Sequence, residues 1–167
     1  MLAFAACKTA HVSSDYDHGT QFSSFHTFTM VSRPHPSAQN PLAVQRTTDA
    51  IREELTRKGF VYVEDATQAD FAVDFSIGAQ DRLDVSSTPA AGWAGPWFSG
   101  RFSGNEVNVR QYQEGTLSID VFDMHSRKAV WRGSGKKELS QSEVEKTSTV
   151  IREAVTSVLA DFPPKAT

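Results

Sequence analysis

Residues 114–135 place the strongest constraint on the fold, because two alternating segments flank a short polar stretch. The apolar residues of the first segment occupy every second position: Leu117, Ile119 and Val121. This period of two is typical of a half-buried strand. The polar stretch 123–127 has the composition of a tight turn, in which Asp123 and Ser126 can bond their own backbone. The sequence therefore predicts a β-hairpin whose Trp131 lies on the inner face and is covered by flanking segments.

A first helix is predicted to follow residue 40. Asn40 and Pro41 suit the N-cap and N1 positions, and Gly59 suits the position just beyond the last turn. The predicted apolar stripe consists of Val44, Thr48, Ile51 and Leu55.

A second helix is predicted to begin at Ser142, where Glu145 completes a capping box. Pro163 ends it, since proline cannot continue a helix. Its predicted apolar stripe consists of Val144, Thr147, Ile151, Ala154, Val155, Val158 and Leu159.

Short strands are predicted on both sides of the first helix, in addition to the hairpin. Their approximate positions are 12–17, 26–30, 60–63, 71–77 and 107–112. Two amphipathic helices and strands with one apolar face favour an α+β two-layer sandwich. We expect a mainly antiparallel, possibly mixed, sheet of about five to seven strands with both helices packed on one face.

Composition limits the domain organisation and the classes of partner. A chain of 167 residues fits one domain, which we place at 15–164. Residues 8–14 have the composition of a tether, and 84–105 that of a long glycine- and aromatic-rich loop. The net charge of −3 argues against nucleic acid as a partner. No run approaches the roughly 20 apolar residues of a membrane-spanning helix.

Cys7 is the only cysteine, so the chain forms no internal disulfide. It is either a small apolar residue near the terminus or the lipidated cysteine of a bacterial lipoprotein signal, of which 1–7 would be the remnant. Met1 leaves no room for a charged segment and a full apolar segment before it. Either the true start lies upstream or the chain carries no such signal.

Large aromatic side chains occur in the predicted loop 84–105, an unusual place for them. They are Trp93, Trp97, Phe98 and Phe102. Long loops are often functional, and exposed aromatic area is often an interaction site. Three outcomes are open: the rings fold back onto the sheet, contact a partner, or enter the lipid headgroup layer.

No residue pattern indicates catalysis, a metal or a cofactor. The five histidines have no metal-ligand spacing, and no Gly-x-Ser-x-Gly motif is present. Asp120 and Arg132 lie on the outer face of the predicted hairpin. They form either a cross-strand ion pair or a carboxylate–guanidinium binding site on the open sheet face.

Several motifs resemble a known family of bacterial lipoproteins called domain of unknown function (DUF) 4136. The motifs lie between about 12 and 164: Asp15-Tyr16-Asp17, Phe22, Thr27-Phe28, Leu55-x-x-Lys58-Gly59-Phe60, Ala69-Asp70-Phe71, Tyr112-x-Glu114-Gly115-Thr116-Leu117, Val130-Trp131-Arg132-Gly133 and Phe162-Pro163-Pro164. The resemblance implies a lipid-anchored envelope protein of Gram-negative bacteria on the periplasmic side, with no assigned catalytic residues. It implies lipidation of Cys7, and Lys8 is similar to the residue found there in lipoproteins sorted to the outer membrane.

We therefore expect a non-catalytic module that binds another envelope protein, the cell wall or a small ligand. The alternative is a periplasmic hydrolase with an unrecognised carboxylate or histidine site, and a third possibility is a spacer in a larger assembly. A hydrolase requires a deep pocket, whereas a binding module requires a shallow aromatic or polar surface. The hydrolase pocket would gather two or more of Asp15, Asp17, His18, His26, Asp74 and Asp120.

Overall fold

A computed structural model describes residues 10–31, 40–88 and 106–165. Its centre is an open, mixed sheet of six strands in the order β1-β6-β5-β4-β2-β3. The strands are β1 (His11–Tyr16), β2 (Thr27–Met30), β3 (Val61–Tyr62), β4 (Phe71–Thr88), β5 (Glu106–Asp123) and β6 (Ala129–Leu139). β2 runs parallel to β3 and β4, and the other neighbours are antiparallel. The predicted α+β class and mixed sheet are confirmed.

Three helices cover one face of this sheet: α1 (Pro41–Arg57), α2 (Gln141–Glu145) and α3 (Thr147–Val158). The ends of α1 are as predicted, because the Asn40 side chain accepts a hydrogen bond from the Ala43 N–H at 3.1 Å, and Gly59 has a φ of 99°. The second predicted helix is divided at Lys146 into α2 and α3. No helix in the described ranges is long and apolar enough to span a membrane.

The β5–β6 hairpin places Trp131 on its inner face, as predicted, whereas an irregularity in the pairing leaves Ala129 exposed and buries Val130, which the alternating pattern places on the outer face. Trp131 pairs with Val121, is 2% exposed, and packs on Phe162 with ring centroids 5.2 Å apart. The turn is held by the Asp123 carboxylate, which accepts hydrogen bonds from the His125 N–H at 2.7 Å and the Ser126 hydroxyl at 3.0 Å. Aromatic rings fill the core beside the tryptophan: Phe25, Phe28, Phe60, Phe71 and Phe162.

The second helix starts two residues earlier than predicted. Two Ser-x-x-Glu motifs overlap here, and the one in use is Ser140 with Glu143. The Ser140 N–H and hydroxyl both donate to Glu143 Oε2, at 2.9 and 2.7 Å. Glu143 is selected because its other oxygen also meets Lys137 of β6. Val144, predicted to lie on the apolar stripe, is consequently 40% exposed.

The buried face of α1 is rotated relative to the predicted stripe. Ile51 and Leu55 are buried as predicted, whereas Val44 and Thr48 are only half-buried. The other buried residues of the helix are Ala43, Thr47, Ala50 and Glu54. Glu54 is tolerated there because Arg57 pairs with it at 2.6 Å and the Thr156 hydroxyl of α3 donates to it at 3.3 Å.

Three predicted boundaries differ from the structure. The strand expected at 107–112 and the first strand of the predicted hairpin are one continuous strand, β5, which gives six strands in the described ranges where the sequence pattern suggested seven. β4 extends to Thr88, into the predicted loop 84–105. β1 begins at His11, inside the predicted tether 8–14, because residues 11–14 pair with β6. In each case a neighbouring strand supplies hydrogen bonds that no local pattern reveals.

Candidate functional site

A cleft of about 840 Å³ opens between the helices and the end of the sheet where β4 and β5 extend beyond β6. Its floor is formed by inner-face strand residues, including Ile77 and Leu117, and its walls by Ile151 and Val158 of α3. The chain enters the described part at Ala10, which also lines the cleft. Its volume lies within the range typical of ligand pockets, about 300–1,000 Å³.

Small residues occupy several inner-face positions along this cleft. Ala79 pairs with Gly115, and Leu117 pairs with Gly135, so half of these four inner-face positions carry no side chain. Ala154 of α3 lies opposite on the helix layer and is only half-buried. The sequence analysis missed this cleft, although glycine and alanine at positions where a packed core carries larger residues were the available signal.

Most polar side chains lining the cleft have partners within the chain. Asn40 accepts from Ala43, Thr147 Oγ1 donates to the Val144 carbonyl at 2.7 Å, and Gln113 donates to Asp81 at 3.0 Å. The lining is mainly apolar, and its polar residues without a partner among the described residues are Lys136, Glu153 and Ser157.

An ion pair borders the cleft. Lys137 extends from the inner face of β6, and its Nζ lies 2.5 Å from Glu143 Oε1 at the start of α2. Hydrogen bonds from Lys137 and then from Ser140 lower the pKa of Glu143 to about 2. Glu143 is therefore ionised at neutral pH and unsuited to act as a general acid or base.

Polar residues lie on the opposite face of the sheet, in register across four strands. Register places four charged residues side by side across β1, β6, β5 and β4: Asp15, Arg132, Asp120 and Asp74. Arg132 Nη1 lies 3.2 Å from Asp120 Oδ1, with the two side chains 63% and 25% exposed. The predicted cross-strand ion pair therefore exists, and an exposed pair of this kind contributes about 0.2–1 kcal/mol.

A row of serines lies beside the charged row, two positions further along each strand. The row consists of Ser13, Ser134, Ser118 and Ser76, and the hydroxyls of Ser13 and Ser134 are 2.9 Å apart. This face offers many hydroxyl and carboxylate oxygens on a shallow surface, which is the kind of surface expected of a binding module.

The arrangement required of a hydrolase is absent from the described residues. Asp15, Asp74 and Asp120 lie in the charged row, on the face of the sheet opposite the cleft. None of the six hydrolase candidates lines the cleft. Within the described ranges, no group of three or more His, Cys, Asp or Glu is arranged to hold a metal ion. Five predicted site residues lie outside the described residues: Cys7, Trp93, Trp97, Phe98 and Phe102.

Asp70, part of a motif noted in the sequence, holds the start of β2. Its Oδ2 accepts hydrogen bonds from the backbone N–H groups of His26 and Thr27, both at 2.8 Å, and from the Thr27 hydroxyl at 3.0 Å. Burial alone would raise the pKa of Asp70, but these hydrogen bonds outweigh it and the pKa lies below its ordinary value. The residue joins β2 to β4 and is structural.

Comparisons with known proteins place the chain by family and fold. The model of a family described as a domain of unknown function, DUF4136, matches residues 12–164. No curated protein matches the chain.

Several solved structures share the fold. A DUF4136 family protein from Bacteroides thetaiotaomicron has a TM-score of 0.58 and 15% identity, with 92% of this chain and 96% of that chain covered. A PDZ domain protein from Parabacteroides distasonis has a TM-score of 0.60 and 13% identity; the match covers 93% of this chain but only 36% of that longer protein. A PelC dodecamer from Paraburkholderia phytofirmans has a TM-score of 0.55 and 12% identity, with 91% and 95% covered.

At these identities the likeness between structures concerns the fold alone. The family model, in contrast, spans nearly all of the chain, including the β5–β6 hairpin, the motif that contains Asp70, and the three helices α1, α2 and α3. This chain therefore belongs to the family described as domain of unknown function DUF4136.

Proposed function

We propose that this chain is a non-catalytic binding module of the bacterial cell envelope, anchored to the outer membrane by a lipid on Cys7, with the cleft as its binding site. The observation that carries the proposal is the cleft itself, which is large enough for a ligand and is lined by none of the six hydrolase candidates. Of the two carboxylates that line it, Glu143 and Glu153, Glu143 is engaged by Lys137 and Ser140.

Binding is favoured over hydrolysis because of where the candidate residues lie. Hydrolysis needs an acid or base within reach of a bound substrate, in a site that excludes water. The carboxylates of the charged row lie instead on the far side of the sheet from the cleft. A partly exposed row of carboxylates and hydroxyls suits contact with a polar partner better than chemistry.

The lipid anchor is proposed from Cys7 and Lys8 and from the family resemblance. Stable anchoring of this kind requires more than one acyl chain. When the chain is expressed behind a full lipoprotein signal, we expect it to fractionate with outer membranes and Cys7→Ser to release it. Unchanged fractionation of Cys7→Ser would reject the anchor.

The cleft is tested as a binding site by two matched substitutions. Ala154 is half-buried and lines the cleft, whereas Ala160 is exposed and does not. Material that co-purifies with the lipidated protein from native membranes should be lost in Ala154→Phe and retained in Ala160→Phe. Equal recovery with both variants would move the binding site elsewhere, first to Asp120 and Arg132 or to the aromatic residues Trp93, Trp97, Phe98 and Phe102.

A further inference from the structure

We propose that the ligand of the cleft is a long aliphatic hydrocarbon, the acyl chain of a lipid. This inference rests on the proposed function, because it names the ligand class of the same cleft. The aliphatic side chains of the lining and the position of the chain's entry point at Ala10 support it.

The apolar part of the described lining is aliphatic and contains no aromatic ring. Its apolar members include Val12, Ile77, Leu117, Leu139, Val144, Val150, Ile151 and Val158. The described aromatic side chains of the core gather elsewhere, around Phe71 and Phe162. Sites that hold bases commonly stack them on aromatic faces, and aromatic faces are likewise the usual platform for cations. A lining with neither favours a ligand that needs only apolar contact.

Six of the nine polar side chains in the described lining have a partner within the chain, and Lys136, Glu153 and Ser157 have none among the described residues. The Thr116 hydroxyl is directed at the Gly78 carbonyl at 3.4 Å, and Lys137 is held by Glu143. A polar ligand would lose its own hydration without gaining equivalent hydrogen bonds, which is unfavourable. A hydrocarbon chain has no such cost, and each buried methylene adds to its affinity.

Two glycines bring aliphatic side chains close to the floor of the cleft. A Cβ atom on Gly115 would lie 3.1 Å from Leu139 Cδ1, and one on Gly135 would lie 2.9 Å from Val158 Cγ2. The side chains of Leu139 and Val158 therefore fill the space above the two glycines and lie close to the strand backbone, as aliphatic parts of the lining. A flexible aliphatic chain adapts to such an irregular surface better than a rigid ring system does.

The acyl chain has three possible sources, and they share this chemistry. It belongs to a free fatty acid, to a membrane phospholipid, or to the lipid on Cys7 itself. Cys7 precedes Ala10 by three residues, and three residues of chain reach at most about 10 Å. Since Ala10 lines the cleft, a lipid on Cys7 is within reach.

The first experiment titrates the Cys7→Ser protein with cis-parinaric acid, a fluorescent fatty acid, below its critical micelle concentration. We expect saturable fluorescence enhancement that palmitate displaces and butyrate does not. Ala154→Phe should weaken the affinity at least about tenfold, and Ala160→Phe should leave it unchanged. Absence of saturable binding, or equal affinity in the two variants, would overturn the proposal.

The source of the chain is identified by two further arms. Displacement of cis-parinaric acid by a dispersed phospholipid as well as by palmitate identifies membrane lipid as a second ligand. If the lipidated protein fails to bind the probe while Cys7→Ser binds it, the lipid on Cys7 occupies the cleft. Either result supports acyl-chain binding, and the two differ only in which lipid supplies the chain.

A second readout keeps the test valid should Ala154→Phe fail to fold. Ala79 lies at the cleft and is exposed, so Ala79→Cys in the Cys7→Ser background introduces one reactive thiol with little change in volume. Palmitate should slow its alkylation several-fold, with no effect on Ala160→Cys. Equal alkylation rates with and without palmitate would reject the site.

Failure of this inference is distinguishable from failure of the proposed function. If membrane material is lost in Ala154→Phe but no fatty acid binds, the cleft takes a protein or another ligand and only the ligand class is wrong. If neither co-purification nor fatty-acid binding responds to Ala154→Phe, the cleft is not the binding site and both are wrong.

Discussion

Trp131 is the residue on which the core depends most. It is 2% exposed, pairs with Val121 across the hairpin and packs on Phe162, while its indole Nε1 has no hydrogen-bond partner among the described residues. The ring contributes by its area and shape, so its loss leaves a cavity that the surrounding aromatic side chains fill poorly.

Trp131→Ala should therefore lower the free energy of unfolding by about 3–5 kcal/mol, measured by urea denaturation. Trp131→Phe keeps part of the ring volume and should cost clearly less. A loss below about 1 kcal/mol for the alanine variant would place the side chain outside the core.

Gly133 makes room for that ring and for α3. A Cβ atom at this position would lie 2.3 Å from Trp131 Cη2 and 2.8 Å from Val158 Cγ1, both of which are buried. Gly133→Ala should cost about 1–3 kcal/mol of stability by overpacking. Gly78→Ala is the matched control, because its Cβ would only approach Thr116 Oγ1 at 3.3 Å. Equal melting temperatures for the two variants would show that α3 moves away freely.

At the scale of elements, the junction between β6 and α2 explains where the second predicted helix begins. Ser140 ends the connection from β6 and caps α2, and Glu143 joins that cap to Lys137 of the sheet. The helix start is thus determined by a contact with the sheet in addition to the local motif.

Substitution of the two serines distinguishes the overlapping motifs. Ser140→Ala removes the hydroxyl that donates to Glu143 and should lower the free energy of unfolding by about 1 kcal/mol. Ser142→Ala should change it by less than about 0.5 kcal/mol. The reverse order in urea denaturation would restore the originally predicted cap at Ser142 with Glu145.

The stability contributed by Glu143 should depend on pH. Its pKa is lowered from 4.5 to about 2 in the folded chain, chiefly by Lys137 and Ser140. Because the folded pKa lies below the unfolded one, the contribution is fully present above about pH 4.5 and is lost as the pH falls towards about 2. The stability difference between wild type and Glu143→Gln, about 1 kcal/mol near neutral pH, should vanish over that interval.

Urea denaturation at a series of pH values measures this difference. Glu145→Gln, an exposed glutamate of the same helix, is the matched control. A wild-type advantage over Glu143→Gln that persists at pH 2 would contradict the assignment.

At the scale of the whole molecule, the sheet is covered unevenly. β6 ends at Leu139, opposite Gln113, so β4 and β5 continue beyond it as a two-stranded ribbon. Leu83 and Val109 on this ribbon are 68% and 58% exposed. Isolated two-stranded ribbons are marginally stable in water, whereas the covered part is held by strands on both sides and by the helices.

Hydrogen exchange should reveal this division. The amides of Tyr112 and Asp120 both lie on β5 and point towards β4, but only Asp120 lies where β6 pairs on the other side. We expect the Tyr112 amide to exchange about a hundredfold or more faster, because opening of the ribbon does not require opening of the core. Equal protection would mean that the ribbon unfolds only with the whole domain.

The residues of this chain determine by themselves those features that depend on neighbours in sequence. Asn40, Pro41 and Gly59 set the ends of α1 by local hydrogen bonds and backbone preference, and the sequence predicted them correctly. The alternation around Ile119 likewise places Trp131 inside, because a strand has only two faces. Fold class follows from these local patterns and their order.

Only the tertiary structure decided what depends on residues distant in sequence. Glu143 is chosen over Glu145 because Lys137 of another element meets it, and Glu54 is buried because Thr156 and Arg57 satisfy it. The charged row forms only when register aligns four strands, and the cleft only when small residues from separate strands and helices face one another. Such features arise from packing between elements, which no local period records.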